Sequence, residues 1–302
     1  MEQRSGIIST RVGVGFIFPA VVFVLVFLIV PFFWVFLLGF TNQTLTGATA
    51  ANPEFVGLQN YARLFDFSRW TRRGEFGSSL WITFQFVIGS ALIGQAGLGL
   101  AIATIFHGRR GAVKSVVTVL VVVAWIVPEV VVAFAWQAFL NPDSGTLNSL
   151  LRLVGAPNPD WLFDYPVLSI IVFNTWRGTA FSMLLFASAL ETIPPSYLET
   201  ADVVGASGWR KFVDIRLPLL RGHILTDLIL ITLFTFNTFT PFLLTGGGPS
   251  FKTNLLSIYT FQTAFRFFEF GKGGAIAMVI MLINLILALG YLAMIRRQRA
   301  VG

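Results

Sequence analysis

Charged and amide side chains interrupt the long apolar runs of the sequence at Glu129, Arg177, Asn237 and Asn284. An ionisable group at the centre of a membrane helix costs about 2.5–3.5 kcal/mol unless it faces water or a partner, so these positions are candidates for function. Counted along helices with a rise of about 1.5 Å per residue, they fall at similar depth. With ring faces from Trp136, Trp176 and Phe239, they predict a polar cavity suited to hydroxyl-rich solutes.

The same residues have a structural interpretation. Glu129 and Arg177 could pair with each other or with a partner subunit, and the aromatic rings could pack or lie at the membrane interface. Among the amides, Asn237 is the favoured solute contact. Asp227 lies close to the start of its apolar run and is expected near the headgroups, with a structural role. The residues alone leave both interpretations open.

Residue types that support catalysis are scarce. The sequence has no cysteine and two histidines, which excludes disulfides and cysteine-ligated metal sites and disfavours a histidine metal cluster. It has no G-x-x-x-x-G-K-[ST] segment, so the chain is not expected to bind or hydrolyse ATP. The sequence therefore predicts a non-enzymatic chain that holds no cofactor or metal. The net charge of +7 lies beside apolar runs and does not favour nucleic-acid binding.

The apolar runs predict an integral membrane protein. Hydrophobic residues make up 55% of the 302 residues, charged residues 12%, and the mean hydropathy is +0.78. Each run is long enough to cross about 30 Å of hydrocarbon as a helix. The six predicted spans are residues 14–40, 80–106, 116–140, 167–190, 222–244 and 273–295. The first run is longer than the apolar core of a signal peptide and is predicted to be retained. We expect an all-α fold forming one transmembrane domain over residues 1–302.

Basic residues predict the orientation of the spans. They are denser on one side, at Arg4, Arg11, Arg109, Arg110, Lys114, Arg210, Lys211, Arg216, Arg221, Arg296, Arg297 and Arg299. The longer segments on the opposite side carry fewer of them. Because lysine and arginine concentrate in cytoplasmic segments, both termini and the segment 194–218 are predicted to be cytoplasmic.

The segment 194–218, called here the polar loop, predicts two short helices joined by a turn. Ser196 and Glu199 have the spacing of a capping box, which would start the first helix. Gly205 favours a helix stop, and Ser207 can cap the second helix. Ala201 and Gly205 lie four residues apart and would leave one face of the first helix without bulk, open to close approach by another protein.

The polar loop resembles the EAA loop of permease subunits in binding-protein-dependent ABC importers. The residues that carry the resemblance are Glu199, Thr200, Ala201, Gly205, Ile215, Leu217 and Pro218, with Thr200 where alanine is usual. The resemblance implies a multi-pass subunit of a bacterial-type plasma membrane, with a cytoplasmic coupling helix between spans four and five. Glu199 would cap and dock this helix, and Ala201 and Gly205 would permit close approach. Trp209, Arg210 and Lys211 would stabilise the loop or contact the ATPase.

A second segment narrows the resemblance. Gly246, Gly247, Gly248 and Pro249 form a predicted tight turn after span five. The segment resembles the external loop of carbohydrate permeases related to the maltose, glycerol-phosphate and multiple-sugar transporters. In such relatives the residue at position 237 is commonly acidic, so the asparagine departs from the pattern. The implied partners are a second six-span permease in a heterodimer, an ATPase dimer that binds ATP and Mg²⁺, and an extracytoplasmic solute-binding protein.

Two other functions are weaker interpretations of the same sequence. An ion-coupled secondary transporter could use Glu129 as its coupling carboxylate, but it would not need the polar loop. An intramembrane enzyme would need a paired acid or a histidine-based nucleophile cluster, which the predicted spans do not contain. The sequence therefore predicts a permease that imports a sugar or polyol, driven by ATP hydrolysis on another chain.

Overall fold

Helices form nearly all of the regular structure. The computed structural model describes the backbone of residues 10–301 and the side chains of residues 14–297. Within residues 10–301 there is no strand apart from an isolated antiparallel bridge between Thr41 and Phe55. The helices are α1 Thr10–Val24, α2 Val30–Leu38, α3 Ala48–Ala51, α4 Gln59–Leu64, α5 Phe76–Phe86, α6 Ala96–Phe106, α7 Ala112–Ile126, α8 Glu129–Phe139, α9 Thr146–Leu153, α10 Trp161–Asp164, α11 Pro166–Leu190, α12 Pro195–Val203, α13 Gly208–Lys211, α14 Leu217–Leu219, α15 Arg221–Asn237, α16 Thr240–Thr245, α17 Leu256–Phe261 and α18 Phe270–Val301. The predicted all-α class is confirmed.

The described residues contain four helices long and apolar enough to cross a membrane. They are Val14–Leu38, Phe76–Phe106, Pro166–Leu190 and Phe270–Arg297. The first two are continuous because the π-helical segments Leu25–Ile29 and Val87–Gln95 join α1 to α2 and α5 to α6. Two further candidates are pairs of shorter helices: Ala112–Ile126 with Glu129–Phe139, bent by 109°, and Gly208–Leu219 with Arg221–Asn237, bent by 71°. If each pair is one span, the chain has six spans, the number that the sequence predicts, although the second pair begins within the segment 194–218 and ends at Asn237, before the predicted end of span five at residue 244. Of the basic residues used to orient them, Arg4 lies outside the described residues, as do the side chains of Arg11 and Arg299.

Spans three and five are not the continuous helices that the sequence analysis predicts. Span three breaks at Val127 and Pro128, whose ψ angles of 135° and 137° are extended. Proline lacks an N–H and disfavours helical backbone at the preceding residue, which explains this break. Span five ends at Asn237 and restarts at Thr240, with Thr238 extended at ψ 140°. There Pro241 cannot donate to the carbonyl of Asn237 and would clash with it in a continuous helix.

The chain divides into two compact units. One holds the described residues up to Leu64 together with Thr260–Val279, and the other holds Phe65–Tyr259 with the described residues from Ile280. Asn60 organises the first unit, because its buried amide donates to the carbonyls of Gly39 and Thr41 at 3.0 and 2.9 Å. The sequence predicts one transmembrane domain over residues 1–302. That the two units form this one domain stays a prediction.

The second unit has two buried apolar clusters. One contains Val132 and Ala133 of α8, Phe173 of α11 and Leu244 of α16. The other contains Ala103 of α6 with Phe186 and Leu190 of α11, and it includes Leu220, which directly precedes α15. Helix α11 contributes to both clusters, so it forms the straight element against which the broken spans pack.

Glycines in the second predicted span allow close packing on α11. A Cβ at Gly94 would lie 2.1 Å from the Thr175 hydroxyl oxygen, and one at Gly99 would lie 2.6 Å from the Ser182 Cβ. Small residues let membrane helices approach closely in this way. Gly97 is different, because a Cβ there would meet nothing within 4 Å.

Gly99→Ala should destabilise the chain, whereas Gly97→Ala should not. The new methyl group at position 99 would also approach the backbone nitrogen of Met183 to 2.8 Å, so the helices must separate. Overpacking of this kind costs about 1–3 kcal/mol. The measurement is the temperature at which half of the detergent-solubilised chain loses its monodisperse elution peak. Equal midpoints for the two variants would contradict the close packing of α6 on α11.

Candidate functional site

Glu129, Arg177 and Thr240 form a polar cluster where the two broken spans restart. Arg177 Nη2 donates to Glu129 Oε1, and the Thr240 hydroxyl donates to Glu129 Oε2 at 2.6 Å. The Arg177 side chain is 18% exposed and that of Glu129 is 50% exposed. The structure therefore brings the predicted pair together. The exposed half of the Glu129 side chain still requires water or a polar partner if it lies in a membrane span, since hydrocarbon would not solvate a carboxylate.

A cavity of about 100 Å³ lies beside this cluster. Of the residues predicted for the solute path, Arg177 lines it. Its other lining residues are Gln95, Trp125, Asn174, Gly178, Phe181, Ile231, Phe234, Thr235 and Thr238. The buried Nε of Arg177 has no hydrogen-bond partner within the described side chains. Cavities that hold small molecules measure roughly 300–1,000 Å³, so the described chain encloses only part of such a site.

Polar residues that the sequence analysis did not select line this cavity. Gln95 is buried, and its amide lies 3.4 Å from the Thr235 hydroxyl. Asn174 is also buried and donates to the Ser90 hydroxyl at 2.9 Å. A neutral amide in an apolar run gives a weaker signal than a charge. Its position on α11, three residues before Arg177, could nevertheless have pointed to Asn174.

Asn237 and Asn284 form a reciprocal amide pair. Each Nδ2 donates to the other Oδ1, at 3.1 and 3.0 Å, and each also donates to the backbone carbonyl four residues earlier. Their predicted proximity is therefore present, but neither lines the cavity described above. Since both amides satisfy each other, the pair has a structural role that does not depend on a solute. Contact between Asn237 and a solute stays a prediction.

Replacing both Asn237 and Asn284 should cost less free energy of unfolding than the two single replacements added together. Asn237→Leu leaves the Asn284 amide without its partner, whereas the double variant leaves neither. Hydrogen bonds between membrane helices couple by about 0.6 kcal/mol on average and up to about 1.7. A double-mutant cycle of unfolding free energies measures this coupling. Additive effects would show that the two amides act independently.

The predicted stacking rings have different surroundings. Trp136 packs edge-on against Phe173 and Trp176, with ring centroids 5.7 Å apart in each case, and it borders a buried apolar cluster. Trp176 is partly exposed. Phe239 stacks on Phe242 at 4.8 Å, next to the break in span five. The contacts of Trp136 are those of a packing residue, and the solute role of these rings stays a prediction.

Asp227 of α15 is buried among the helices of the second unit. Its residue is fully buried, and neither carboxylate oxygen has a hydrogen-bond partner among the described side chains. This burial fits the structural role that the sequence predicts, and the position near the headgroups stays a prediction, because burial among helices does not fix depth in a membrane. A buried carboxyl group without a donor is costly when charged.

The polar loop has the predicted order of helix, turn and helix. Gly205 ends α12 with φ +72°, and Ala206 N donates to the Ala201 carbonyl at 2.9 Å, which closes the helix end. Ser207 Oγ accepts from Arg210 N at 3.3 Å and caps α13. Lys211 Nζ lies 2.6 Å from Asp202 Oδ1, so it joins the two helices of the loop.

Two local predictions for the polar loop were wrong. The helix begins at Pro195 after Pro194, and no side chain caps it, so Ser196 and Glu199 do not form a capping box. Proline at the first helical position starts the helix two residues earlier than the box requires. Ala201 is buried within this chain and therefore does not offer its small side chain to another protein. A Cβ at Gly205, in contrast, would meet nothing within 4 Å.

Exposed apolar side chains cluster in the polar loop. Val203 is 88% exposed, Val204 is 76% and Trp209 is 73%, and Tyr197 is also exposed. The sequence analysis selected Trp209 but neither valine. Of the other predicted coupling residues, Glu199, Thr200 and Arg210 are exposed, while Ile215, Leu217 and Pro218 are partly buried. Apolar groups that face water in a polar segment are typical of a protein-docking surface.

The turn after α16 is tightly built. Gly246 and Gly247 have φ of +63° and +89°, which confirms the predicted turn. The Thr253 hydroxyl donates to the Gly248 carbonyl at 2.7 Å and lies 2.7 Å from the Thr245 hydroxyl. These bonds fix the position of Pro249 and the residues that follow it. The loop therefore presents a defined surface next to the end of α16.

Comparisons with known proteins place these features in a family context. The model of the family described as "Binding-protein-dependent transport system inner membrane component" matches residues 95–300. That range contains the polar cluster, all of the cavity lining and the whole polar loop.

Similar sequences include named permeases. The trehalose/maltose transport system permease protein MalF of Thermococcus litoralis is 30% identical over 298 residues, which cover 96% of this chain and 96% of that protein. The probable ABC transporter permease protein YesP of Bacillus subtilis is 32% identical over 277 residues, covering 90% and 86%. The sulfoquinovosyl glycerol transport system permease protein SmoG of Agrobacterium fabrum is 30% identical over 292 residues, covering 93% and 89%.

A solved structure has the same fold. A chain in the crystal structure of a bacterial alginate ABC transporter, in complex with an alginate pentasaccharide-bound periplasmic protein, superposes with a TM-score of 0.79. The match covers 95% of this chain and 94% of that one, at 19% sequence identity. At this identity the likeness shows the fold alone.

Proposed function

Because the chain belongs to the family of inner membrane components of binding-protein-dependent transport systems, we propose that it is the permease subunit of an ATP-driven importer of a sugar or related polyol. The match to that family over residues 95–300 carries this proposal. Similar proteins named for trehalose, maltose and sulfoquinovosyl glycerol favour a carbohydrate solute. The solute would move into the cytoplasm across a bacterial-type plasma membrane, with both termini in the cytoplasm.

The cavity beside Arg177 is the proposed part of the solute path in this chain. Amides of Gln95 and Asn174 and hydroxyls of Thr235 and Thr238 lie in or at its wall, together with the rings of aromatic residues. Hydroxyl-rich solutes fit such a lining, because amides and hydroxyls satisfy sugar hydroxyls while rings cover apolar sugar faces. The volume of about 100 Å³ is too small for a sugar.

A second permease subunit would complete the path. Glu129 is half exposed at a depth where lipid cannot solvate a carboxylate. An opposing subunit would supply the polar surroundings that Glu129 needs and enlarge the cavity between the two chains. We therefore propose a heterodimer, with an external solute-binding protein that delivers solute to the loops that include Gly246–Pro249.

The polar loop is the proposed contact with a separate ATPase, which would bind the ATP and Mg²⁺. Its exposed surface around Val203, Val204 and Trp209 offers apolar area for docking. The segment Gly208–Leu219 of this loop leads directly into Arg221–Asn237 of span five, with a bend of 71° between them. A movement of the docked loop would therefore reach the break at Thr238. Coupling needs two global states with different ATPase contacts in each.

The proposal is tested by uptake in cells that lack the gene. The probes are radiolabelled monosaccharides, disaccharides, polyols and glycerol phosphate. We expect uptake of at least one of them to be lost on deletion and restored by the wild-type gene. Unchanged uptake of every probe would contradict a carbohydrate importer.

The energy source separates this proposal from the ion-coupled alternative. Collapse of the proton and sodium gradients with ionophores, while ATP is maintained, should leave uptake intact if ATP drives transport. An ion-coupled transporter that uses Glu129 would stop under the same conditions.

A further inference from the structure

The outer segments of the two broken spans begin at the same point. Glu129 is the first residue of α8, after the extended Val127 and Pro128. Thr240 is the first residue of α16, after the break at Thr238 and Phe239. The hydrogen bond from Thr240 to Glu129 therefore joins the first residues of the two restarting helices. The carboxylate also lies at a helix N-terminus, where the helix dipole favours a negative charge.

The same two helices are also joined at their far ends. Gln137 Nε2 lies 3.0 Å from the backbone carbonyls of both Leu243 and Leu244. Leu244 is buried in one apolar cluster with Val132 and Ala133 of α8. Helices α8 and α16 are thus connected at both ends and packed between them. They form one body, which we call the outer body.

An ion pair joins the start of the outer body to α11, which does not break, in addition to the buried apolar cluster that the outer body and α11 share. Arg177 lies near the middle of the continuous α11 and donates to the Glu129 oxygen that Thr240 does not use. Both Arg177 and Thr238 line the cavity, and the Thr238 hydroxyl lies 3.3 Å from that of Thr240. The ion pair is therefore at the edge of the cavity and at the hinge points of both broken spans.

We infer that Glu129 is a positioning residue that locks the outer body to α11 through Arg177, and that this pair must break for the cavity to open toward the outside. The inference rests on the proposed transport function. It assigns Glu129 and Arg177 to the control of access, whereas a solute-contact role would leave access unchanged in the absence of solute. Hinges at extended residues absorb the backbone change that such a movement requires.

The test uses a reporter cysteine, because the natural chain contains none. Thr238→Cys is introduced into the full-length chain, and its reaction with a membrane-impermeant maleimide is followed in membrane vesicles of each orientation, without solute. In vesicles that expose the external face, Glu129→Gln should increase the labelling rate about fivefold or more, since loss of one charge-assisted hydrogen bond shifts the equilibrium toward the open state.

Two double variants keep the test decisive. Glu129→Gln with Arg177→Gln removes both charges, so no unpaired charge impairs folding, and it should label as fast as the single variant. Glu129→Arg with Arg177→Glu restores an ion pair and should return the rate to within about twofold of the reporter alone. Glu75→Gln is the control, because Glu75 makes no side-chain cap at the start of α5. It should not change the rate.

The inference would be overturned by a folded doubly neutral variant that labels at the rate of the reporter alone. A charge-swap variant that labels as fast as the neutral one would also contradict it. Failure of the proposed function gives a different result, because the labelling rates do not depend on which solute is carried or on an ATPase. In that case the charge variants would still alter access, while uptake of every carbohydrate probe would remain independent of the gene.

Discussion

Val203→Glu combined with Val204→Glu should reduce uptake by about tenfold or more and should abolish co-purification of the ATPase, while the amount of inserted chain stays unchanged. Both valines are largely exposed at the end of α12, so the folded chain loses little when they become polar. A docked partner would instead have to bury two carboxylates against its own surface. Burial of unpaired charges costs far more than the apolar contact gains.

The chain provides a matched control for this experiment in the loop that follows α8. Leu153 ends α9 as Val203 ends α12, and Leu153 and Val154 are 82% and 77% exposed. Each pair precedes a glycine with positive φ, +68° at Gly155 and +72° at Gly205. Leu153→Glu with Val154→Glu therefore repeats the change at an equivalent helix end on the predicted external side. ATPase binding should survive it, and an equal loss in both variants would argue against docking at the polar loop.

Replacing the two valines tests docking of the ATPase more directly than replacing the neighbouring Gly205. Gly205→Glu would also change the proposed docking surface, since a side chain there would meet no atom of this chain within 4 Å. It would, however, force a residue with a Cβ into the left-handed region, which glycine alone occupies without strain. A loss of coupling would then have two explanations. The valine pair changes the surface and leaves the turn intact.

Composition and local signals predicted much of this structure. Hydropathy located the spans because a membrane helix must carry a long apolar run. The stop at Gly205 and the cap at Ser207 followed from backbone chemistry that depends on neighbouring residues alone. The break in span three was also within reach of the sequence, because Pro128 restricts the residue before it.

The sequence did not show in the same way which face of each helix is buried. Ala201 and Val203 are two residues apart on one short helix, yet the small residue is buried and the large one is exposed. The sequence analysis expected Ala201 to face another protein, because small residues permit close approach, and it did not select Val203. Valine usually lies inside. Which face a short helix buries depends on where the adjoining spans place it. For the same reason, the burial of Asp227 could not be read from its place in an apolar run.

Most of the residues that line the cavity could not be predicted from the sequence. The sequence pointed to the charged residues, and Arg177 does line it, whereas Glu129 contacts its edge through Arg177. Gln95 comes from another span and reaches the cavity because Gly178 leaves room for it. Such a pairing joins residues that are far apart in sequence, so no local pattern contains it.

Gly178→Val should reduce uptake by about tenfold or more by filling the cavity that Gly178 lines. A Cβ at this position would come within 2.2 Å of the Gln95 side-chain carbon Cδ and oxygen Oε1. The Gln95 amide must therefore move and would lose its contact with Thr235. The valine methyl groups would then occupy space next to Arg177. The measurement is the initial rate of uptake of the carbohydrate identified by gene deletion, at matched membrane levels of the chain.

Removal of Gln95 separates a blocked path from a damaged fold. In Gly178→Val with Gln95→Ala, the shortened side chain makes room for the valine, so the thermal midpoint in detergent should recover most of any loss. Uptake should stay low, because the valine still fills the cavity wall. Gly97→Val serves as the control, since a Cβ at Gly97 meets no neighbour within 4 Å and lines no part of this cavity. Uptake at the wild-type rate in a folded Gly178→Val variant would mean that the solute follows a different route, because a side chain larger than hydrogen cannot fit beside Gln95 without narrowing the space that Arg177 and Thr238 border.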